Sequence, residues 1–209
     1  MNGFVKVALK KLIEEIGEDR AKEVLSDFSC PINKDIEEFI HQKAIEFEKQ
    51  SISRTQLIYA SYKKELVLVG YYTIATKTFN ITSSSLTSNK RRKINKFATY
   101  NPELKSYLLP APLIAQLGKN FKNNSNSLIS GNELLKIACD DISIVHKIVG
   151  GKTVYLECED KPCLIEFYNR NGFVKFAERK LDADETNISG TYLVQMLKIF
   201  WIGQKCSWM

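Results

Sequence analysis

The feature that most constrains this chain is an ordered run of predicted elements between residues 113 and 173. The run opens with a mostly apolar stretch from Leu113 to Phe121, which follows Pro110 and Pro112. A polar segment, residues 122–127, comes directly after it. Proline and polar boundaries around an apolar run are typical of a β-strand that ends in a loop. The sequence therefore predicts a strand that leads through a polar loop into the next element.

The next element is predicted to be a helix that begins at Ser130. Ser130 and Glu133 have the spacing of a capping box, and apolar residues then recur at helical spacing until Gly150. The first-turn amides of a helix have no partner inside it, and the helix dipole adds partial positive charge there. Loop and helix start therefore predict a site for a diphosphate, although Glu133 places an acidic group nearby.

A second strand and a short helix complete the run. Thr153 to Glu159 reads as a strand, Asp160 as an N-cap, and Pro162 as a first-turn residue, where its missing N–H costs little. The short helix is predicted to stop at Asn171-Gly172, and Phe173 begins another strand.

This order of elements resembles the GCN5-related N-acetyltransferase (GNAT) superfamily over roughly residues 30–200. Residues 167–173, Phe-Tyr-Asn-Arg-Asn-Gly-Phe, look like its short-helix pattern of an aromatic residue and tyrosine, two variable residues, then x-Gly-Phe. The superfamily's loop signature is Gln/Arg-x-x-Gly-x-Gly/Ala, and alignment puts Asn126, Ile129 and Gly131 at its three positions. Only Gly131 matches, and an isoleucine stands where the superfamily has its first glycine.

The resemblance implies an α/β fold with a mixed central β-sheet of the acyl-CoA N-acyltransferase type, flanked by helices. It also implies that acetyl-CoA is the acetyl donor and that no metal is needed. Two neighbouring strands would receive the pantetheine arm along the backbone of Leu117, Gly118 and Lys119. The diphosphate would bind at Asn126, Ser127, Leu128, Ile129, Ser130, Gly131 and Asn132.

The resemblance assigns Tyr168 as the general acid that protonates the departing CoA thiolate. The alternative is that Tyr168 is an ordinary residue of an amphipathic helix. The general base is less defined, and Glu157 ranks first among the carboxylates on or after the second strand. No Cys–His or Ser–His–Asp spacing is evident, so the expected reaction is direct attack of an amine on acetyl-CoA rather than covalent catalysis.

Composition sets the limits of these hypotheses. The 209 residues, 44% of them hydrophobic, suffice for one ordinary domain with a sizeable core. No apolar run approaches the ~18 residues of a membrane span, and we expect a cytoplasmic protein. The five cysteines are odd in number and form no Cys-x-x-Cys pair, which favours reduced thiols over disulfides or zinc. A net charge of +6 suits an anionic partner, and CoA, RNA and acidic proteins all qualify.

The N-terminal residues 1–28 are predicted to form a helical extension ahead of an acetyltransferase-like domain at 29–209. Apolar residues from Val5 to Ile16 have helical spacing, and a second helix is predicted over Glu18 to Leu25. These helices could pack on the domain, form a homodimer contact or dock a partner, and packing is the favoured alternative. A third helix is predicted to be capped by Asn33.

After the third helix the sequence predicts a hairpin and then a long insertion. Gln56 to Tyr62 and Leu66 to Thr76 are two strands joined by a lysine-rich turn, and residues 80–106 are predicted to be a loop. The loop carries the basic run Lys90, Arg91, Arg92 and Lys93. The run could contact RNA, but a solvated charge run is the favoured alternative.

At the other end of the chain, Tyr192 to Phe200 is predicted to be the last strand, pairing with the strand that starts at Phe173, and residues 201–209 form a tail. Taken together, the residues and the resemblance predict an acetyl-CoA-dependent N-acetyltransferase with an amine acceptor of unknown class. Two alternatives remain open: a toxin-like acetyltransferase that acts on aminoacyl-tRNA, and a non-catalytic domain that binds acyl-CoA or docks a partner.

Overall fold

The computed structural model describes residues 3–96, 98–182 and 190–200, so the predicted tail at 201–209 lies outside the described residues. The chain divides into two compact units, which are described separately. The first comprises residues 3–75 and 114–139, and the second comprises residues 76–96, 98–113, 140–182 and 190–200.

The described residues form eight strands and seven α-helices. The strands are β1 (Phe4–Ala8), β2 (Ser53–Tyr62), β3 (Glu65–Thr82), β4 (Thr99–Asn101), β5 (Ser106–Lys119), β6 (Thr153–Glu159), β7 (Val174–Lys180) and β8 (Tyr192–Ile199). The helices are α1 (Leu9–Ile16), α2 (Glu18–Leu25), α3 (Lys34–Glu38), α4 (Ala44–Lys49), α5 (Ser88–Ile94), α6 (Gly131–Val149) and α7 (Pro162–Arg170). A π-helical turn, Phe39–Lys43, joins α3 to α4, and Ser83–Ser85 and Lys122–Ser127 are 3₁₀ turns.

The first unit is built on strands in the order β1-β2-β3-β5. β2 and β3 form the predicted antiparallel hairpin, whose turn places Lys63 and Lys64 at φ values of 50° and 70°. The register shifts between Ile58 and Tyr59, where β3 carries an extra residue between Leu68 and Gly70. At this β-bulge the main chain of β3 leaves the regular ladder.

The first residues of the chain correct the N-terminal prediction. The apolar spacing predicted one helix from Val5 onward, whereas β1 occupies this stretch and α1 begins only at Leu9. β1 pairs antiparallel with β2, with Val5 opposite Tyr59 and Val7 opposite Leu57. Apolar spacing within the segment could not reveal this pairing, because the partner strand comes much later in the chain.

The helices of the first unit pack into one buried cluster. Leu9 of α1 and Ala21 and Leu25 of α2 lie in the same cluster as Ile40 and Tyr71. α1 and α2 thus contribute to the core of this unit, as the favoured alternative predicts. The boundary predicted at residue 28 stays a prediction. Asn33 caps α3 as predicted, since its side chain accepts a hydrogen bond from the Ile36 N–H.

In the second unit, β6, β8 and β7 form an antiparallel set in that order. This confirms the predicted pairing of the last strand with the strand that follows Phe173. β6 has the predicted bounds. Its residues Val154, Tyr155 and Leu156 are buried together with Val194 and Met196 of β8. Consecutive residues of β6 point to opposite faces, so both faces of this strand are buried in the core.

The prediction of a long loop at residues 80–106 is wrong. β3 continues to Thr82, and a 3₁₀ turn, α5 and β4 follow before β5 begins at Ser106. β4 pairs with the start of β5, with Tyr100 opposite Tyr107. We call residues 83–105 the β3–β5 arm. Serine and lysine content had suggested a loop, but the pairing of β4 with β5 supplies hydrogen bonds that composition does not show.

The strand predicted to begin at Leu113 also starts earlier, at Ser106, so Pro110 and Pro112 lie inside β5 rather than in front of it. N–H groups two residues apart along a strand point to the same edge. Only one edge of β5 therefore loses donors at these prolines, and the other edge can still pair.

Candidate functional site

The loop between β5 and α6, residues 120–130, has a main chain that bends sharply. Asn123 and Asn124 adopt left-handed φ values of 52° and 62°, which asparagine tolerates better than most residues. Ser125 Oγ donates to the Lys122 carbonyl at 2.7 Å, and Ser127 Oγ donates to the Asn124 carbonyl at 2.8 Å. These serine hydroxyls are therefore used to hold the loop in shape.

A lysine from the preceding strand also supports the loop. Lys119 Nζ donates to the Asn126 carbonyl at 3.0 Å, which joins the end of β5 to the middle of the loop. Among the residues predicted to bind the diphosphate, Ser127 and Ser130 are exposed, whereas Asn126 and Leu128 are half-buried. The predicted residues are thus brought together in the first unit, and the positive charge of Lys119 lies beside them.

The capping box at the start of α6 is confirmed. The Glu133 N–H donates to Ser130 Oγ at 3.1 Å, and the Ser130 N–H donates to Glu133 Oε2 at 2.8 Å. The hydrogen bonds from the Ser130 backbone and hydroxyl lower the pKa of Glu133, so its carboxylate is ionised. In the part of the chain that the structure describes, the Gly131 N–H has no hydrogen-bond partner, so this amide is free to bind an anion.

The isoleucine that replaces the superfamily glycine fits the observed loop. Ile129 is 2% exposed and packs into the interior, so its side chain does not occupy the solvent side of the loop. Neither Ile129 nor Gly131 has a positive φ, so neither position needs the conformational freedom of glycine. The departure from the signature is therefore compatible with an exposed main chain at this loop.

Gly118, predicted to lie along pantetheine, has a packing role in the first unit. A Cβ added there would collide with Ile36 Cγ2 and lie 3.2 Å from Phe28 Cζ. Gly118 therefore lets α3 pack closely on β5. Gly70 is equally constrained, since an added Cβ would lie 2.8 Å from the Gly118 carbonyl oxygen. The predicted roles of Leu117, Gly118 and Lys119 in donor binding stay predictions.

The second unit contains Tyr168, near the end of α7. The helix ends in a Schellman motif, because the Phe173 N–H donates to the Tyr168 carbonyl at 3.0 Å and the Gly172 N–H donates to the Asn169 carbonyl at 3.0 Å. Gly172 takes the left-handed φ of 82° that this motif requires. The rings of Tyr168 and Phe173 are 5.9 Å apart, the apolar contact that usually accompanies the motif. The Asn-Gly-Phe sequence thus fixes the Tyr168 ring through local backbone geometry.

The environment of the Tyr168 phenol favours its neutral form. Desolvation raises its pKa well above the ordinary value, and the thiol of Cys158 adds to the effect. The side chain is half-buried in the second unit. Tyr168 therefore stays protonated at neutral pH, which is the state that a general acid needs before it donates.

Glu157 lies on β6 in a polar cluster that the sequence did not reveal. Its Oε2 accepts from Arg179 Nε at 2.8 Å, and its Oε1 accepts from Gln195 Nε2 at 2.7 Å. Gln195 stands directly opposite Glu157 in the strand register, while Arg179 comes from β7. Such partners depend on strand pairing, so no local sequence signal could have predicted them.

Asp160 differs from its prediction. The N-cap of α7 is Lys161, and no side chain caps this helix start. The Asp160 carboxylate instead accepts a hydrogen bond from the Tyr192 hydroxyl at 2.6 Å. Tyr192 lies on β8, so a tertiary partner replaces the local cap that the sequence suggested.

The basic run lies on α5 of the β3–β5 arm. Arg91 and Arg92 are exposed, and Arg91 Nε donates to the Leu86 carbonyl at 3.1 Å. The main chain of Lys90 and Lys93 belongs to the same helix. The arginines therefore project from a short helix rather than from the irregular loop that was predicted.

Among the described residues no group of three or more His, Cys, Asp or Glu side chains is arranged to hold a metal ion. Within the same ranges no helix is long and apolar enough to cross a membrane. Cys30, Cys139, Cys158 and Cys163 form no disulfide within the residues that the structure describes, and Cys206 lies outside these residues.

No protein-family model and no curated protein sequence matches the chain. Solved structures do match it. A tyrosine-to-phenylalanine mutant of the AtaT toxin aligns at a TM-score of 0.60 and 14% identity, over 95% of this chain and 91% of that chain. AtaT complexed with acetyl-methionyl-tRNAfMet aligns at 0.60 and 16% identity, over 92% of this chain and 94% of that chain. AtaTR bound with acetyl-CoA aligns at a TM-score of 0.55 and 14% identity, over 95% of this chain and 94% of that chain.

Identities this low establish the fold alone. They confirm the α/β fold with a mixed β-sheet flanked by helices that the sequence predicts. The chain is thus similar in fold to the AtaT and KacT toxins over most of its length.

Proposed function

We propose that this protein is an acetyl-CoA-dependent N-acetyltransferase that moves an acetyl group to an amine by direct attack. The observation that carries the proposal is the fold likeness over 95% of the chain to a toxin complex that contains acetyl-CoA. The short-helix pattern that ends at Phe173 supports it independently. That pattern was identified from the sequence and forms the helix end described above.

In this proposal the β5–α6 loop binds the diphosphate of the donor. The free Gly131 N–H and the dipole of α6 supply partial positive charge, and Lys119 lies beside the loop. The ionised Glu133 opposes this attraction, but its carboxylate already accepts hydrogen bonds from Ser130. Main-chain donors fixed by a capping box can bind a phosphate without reorganisation, which favours affinity.

The chemistry requires one new bond and one broken bond. The neutral amine attacks the thioester carbonyl carbon, the carbon–sulfur bond breaks, and the sulfur leaves as a thiolate. We assign Tyr168 as the acid that protonates this thiolate, because it stands in the short-helix pattern at the position of the acid that the resemblance implies. Its raised pKa keeps the phenol protonated but also makes it a weaker acid. The phenolate that forms recovers its proton from solvent. The amine nitrogen loses its proton to a base.

We assign Glu157 as that base, directly or through water. Both of its carboxylate oxygens accept hydrogen bonds, from Arg179 and Gln195, and each oxygen still has a second lone pair. The charge of Arg179 stabilises the carboxylate and so weakens it as a base. Glu157 therefore has a structural role in any case, and its catalytic role needs its own test.

A second, finer proposal concerns the acceptor, which we infer to be aminoacyl-tRNA. The specific observation in its favour is the likeness to AtaT complexed with acetyl-methionyl-tRNAfMet. The exposed Arg91 and Arg92 on α5 would bind phosphates of such an acceptor. A charged tRNA also presents the α-amine that the reaction consumes.

The test is to incubate the purified protein with labelled acetyl-CoA and three classes of acceptor: small amines, lysine-containing peptides and aminoacyl-tRNA. Thiol release and mass spectrometry of the products are measured together. We expect release only with an acceptor that gains acetyl, and strongest with aminoacyl-tRNA. Uncharged tRNA is the matched control. Binding of CoA without thiol release in any arm would instead support the non-catalytic alternative.

A further inference from the structure

Asn120 is a buried amide at the first position of the β5–α6 loop, 3% exposed. Its Nδ2 donates to the Asp27 carbonyl at 2.8 Å and to the Leu68 carbonyl at 2.9 Å. Its Oδ1 accepts from the Ser29 N–H at 2.9 Å and from the Lys122 N–H at 3.0 Å. An asparagine amide has two donor hydrogens and two acceptor lone pairs, so the capacity of this side chain is fully used.

These bonds join three separate parts of the first unit. Asp27 and Ser29 lie between α2 and α3, Leu68 lies at the β-bulge of β3, and Lys122 begins the 3₁₀ turn of the loop. The Asn120 N–H reinforces the second connection by donating to the Val69 carbonyl at 2.9 Å. Carbonyls at a bulge leave the regular ladder, and Asn120 satisfies two of them.

Main-chain and side-chain bonds on either side of Asn120 strengthen the first connection. The Phe121 N–H donates to the Ser29 carbonyl at 2.7 Å. Lys122 Nζ forms an ion pair with Asp27 at 2.6 Å, but both side chains are largely exposed, so this pair contributes little. The buried amide is therefore the main determinant of where the loop begins.

We propose that Asn120 is a positioning residue for donor binding. It fixes the start of the β5–α6 loop against the α2–α3 connection and the β3 bulge, so that the loop is ordered before CoA arrives. The inference rests on the proposed function, because it assumes that this loop binds the diphosphate of CoA. Asn120 itself acts through the loop main chain.

The physical reason is preorganisation. A loop that adopts several conformations before binding must become ordered when the ligand binds, and this ordering reduces the binding free energy. A buried amide that satisfies four main-chain groups favours one position of the loop start. Its removal leaves those main-chain donors and acceptors without partners in the interior. The loop start would then move, and the preorganisation of its amides for CoA would be lost.

The first experiment compares Asn120→Ala with Thr73→Val, using calorimetry with CoA and steady-state kinetics with acetyl-CoA. Thr73 Oγ1 and Thr55 Oγ1 are 2.9 Å apart and buried, so Thr73→Val removes a buried hydrogen bond in the same unit away from the loop. We expect Asn120→Ala to weaken CoA binding about tenfold to a hundredfold. The KM for acetyl-CoA should rise accordingly, with kcat at saturation within about threefold.

Thr73→Val should lose stability but keep the CoA affinity of the parent. Equal affinities in the parent and in folded Asn120→Ala would overturn the inference alone, and so would an equal loss of affinity in Thr73→Val. Absence of CoA binding by the parent protein would overturn the proposed function and the inference with it. The two failures are therefore distinguishable.

If Asn120→Ala does not fold, amide hydrogen exchange on the parent decides the question. CoA should slow exchange of the Ser29 and Lys122 amides, which both donate to Asn120, by about tenfold or more at saturating CoA. The Thr55 amide, which donates to Glu48 Oε2 at 2.9 Å, is the control and should change less. Uniform slowing at all three amides, or none, would overturn the inference.

Discussion

The two units differ in the kind of chemical group that they present. In the first unit the β5–α6 loop uses its serine and asparagine side chains to hold its own shape, and a main-chain amide at Gly131 is left free. In the second unit the candidate groups are side chains: the Tyr168 phenol, the Glu157 carboxylate and the arginines of α5.

This difference teaches which changes each unit should tolerate. A main-chain site survives substitution of its side chains but responds to a change in backbone position or to a new side chain that blocks access. A side-chain site responds to loss of a single functional group, even when the backbone is unchanged. The proposed division of labour is therefore binding in the first unit and proton transfer and acceptor contact in the second.

Tyr168→Phe should give the largest effect. The substitution removes only the hydroxyl and keeps the ring contact with Phe173, so the fold and CoA binding should persist. Loss of a positioned acid typically lowers the rate about a hundredfold to ten-thousandfold. Single-turnover release of CoA at saturating acceptor measures it. Tyr192→Phe, which loses an exposed hydroxyl bonded to Asp160, is the matched control. A Tyr168→Phe rate within about threefold of the parent would remove Tyr168 from the mechanism.

The raised pKa of Tyr168 also predicts the pH dependence of that rate. The native pKa lies above the ordinary tyrosine value, so the phenol keeps its proton up to at least about pH 10. The single-turnover rate should therefore show no fall due to loss of this acid between about pH 7 and 9.5. A descending limb in that range that disappears in Tyr168→Phe would show that Tyr168 titrates there and would contradict the raised pKa.

Glu157→Gln sharpens the chemical side of the comparison. If the carboxylate is the base, its replacement should lower the single-turnover rate about a hundredfold. The variant also removes the ion pair between Glu157 and Arg179, although Arg179 keeps its ion pair with Asp182, so a loss of unfolding free energy is expected. Urea denaturation should accompany the rate measurement. Glu159→Gln, on the same strand, is the control. A stability loss without a rate loss would leave Glu157 with a structural role only.

Replacement of Lys90, Arg91, Arg92 and Lys93 by serine tests the arm. RNA affinity should fall roughly tenfold to a hundredfold at about 0.1 M salt. Its salt dependence should become shallower, because a protein that contacts fewer phosphates releases fewer counterions on binding. CoA affinity should not change. A matched pair is Arg91→Ser/Arg92→Ser against Lys10→Ser/Lys11→Ser, since both pairs remove two exposed charges. Undetectable RNA binding by the parent at low salt would contradict the proposal of a tRNA acceptor.

Gly131→Val should give the smallest of these effects and tests the main-chain site. The φ at this position is not positive, so valine adds bulk beside the free amide without backbone strain of that kind. CoA affinity should fall about tenfold while the fold survives. Gly3→Val, where an added Cβ meets nothing within 4 Å, is the control. Unchanged calorimetric affinity in folded Gly131→Val would show that the loop assignment is wrong.

The sequence by itself determined those features whose causes are local. The capping box at Ser130, the stop after α7 at Gly172, and the bounds of α2 and β6 all follow from residues within a few positions of one another. Hydrogen bonds of this kind form within one turn of helix, so spacing predicts them.

Only the tertiary structure decided the features that depend on distant partners. The first residues of the N-terminal stripe that favoured a helix became β1, because an unpaired edge of β2 accepts them, while the rest of the stripe forms α1. The 83–105 segment became helix and strand, because β5 pairs with β4. Asn120 is one of the polar residues near the end of the Leu113–Phe121 stretch, and nothing nearby in sequence indicates that it bonds to Asp27 and Leu68. A buried polar group takes whichever partners the fold brings to it, and the chain alone does not name them.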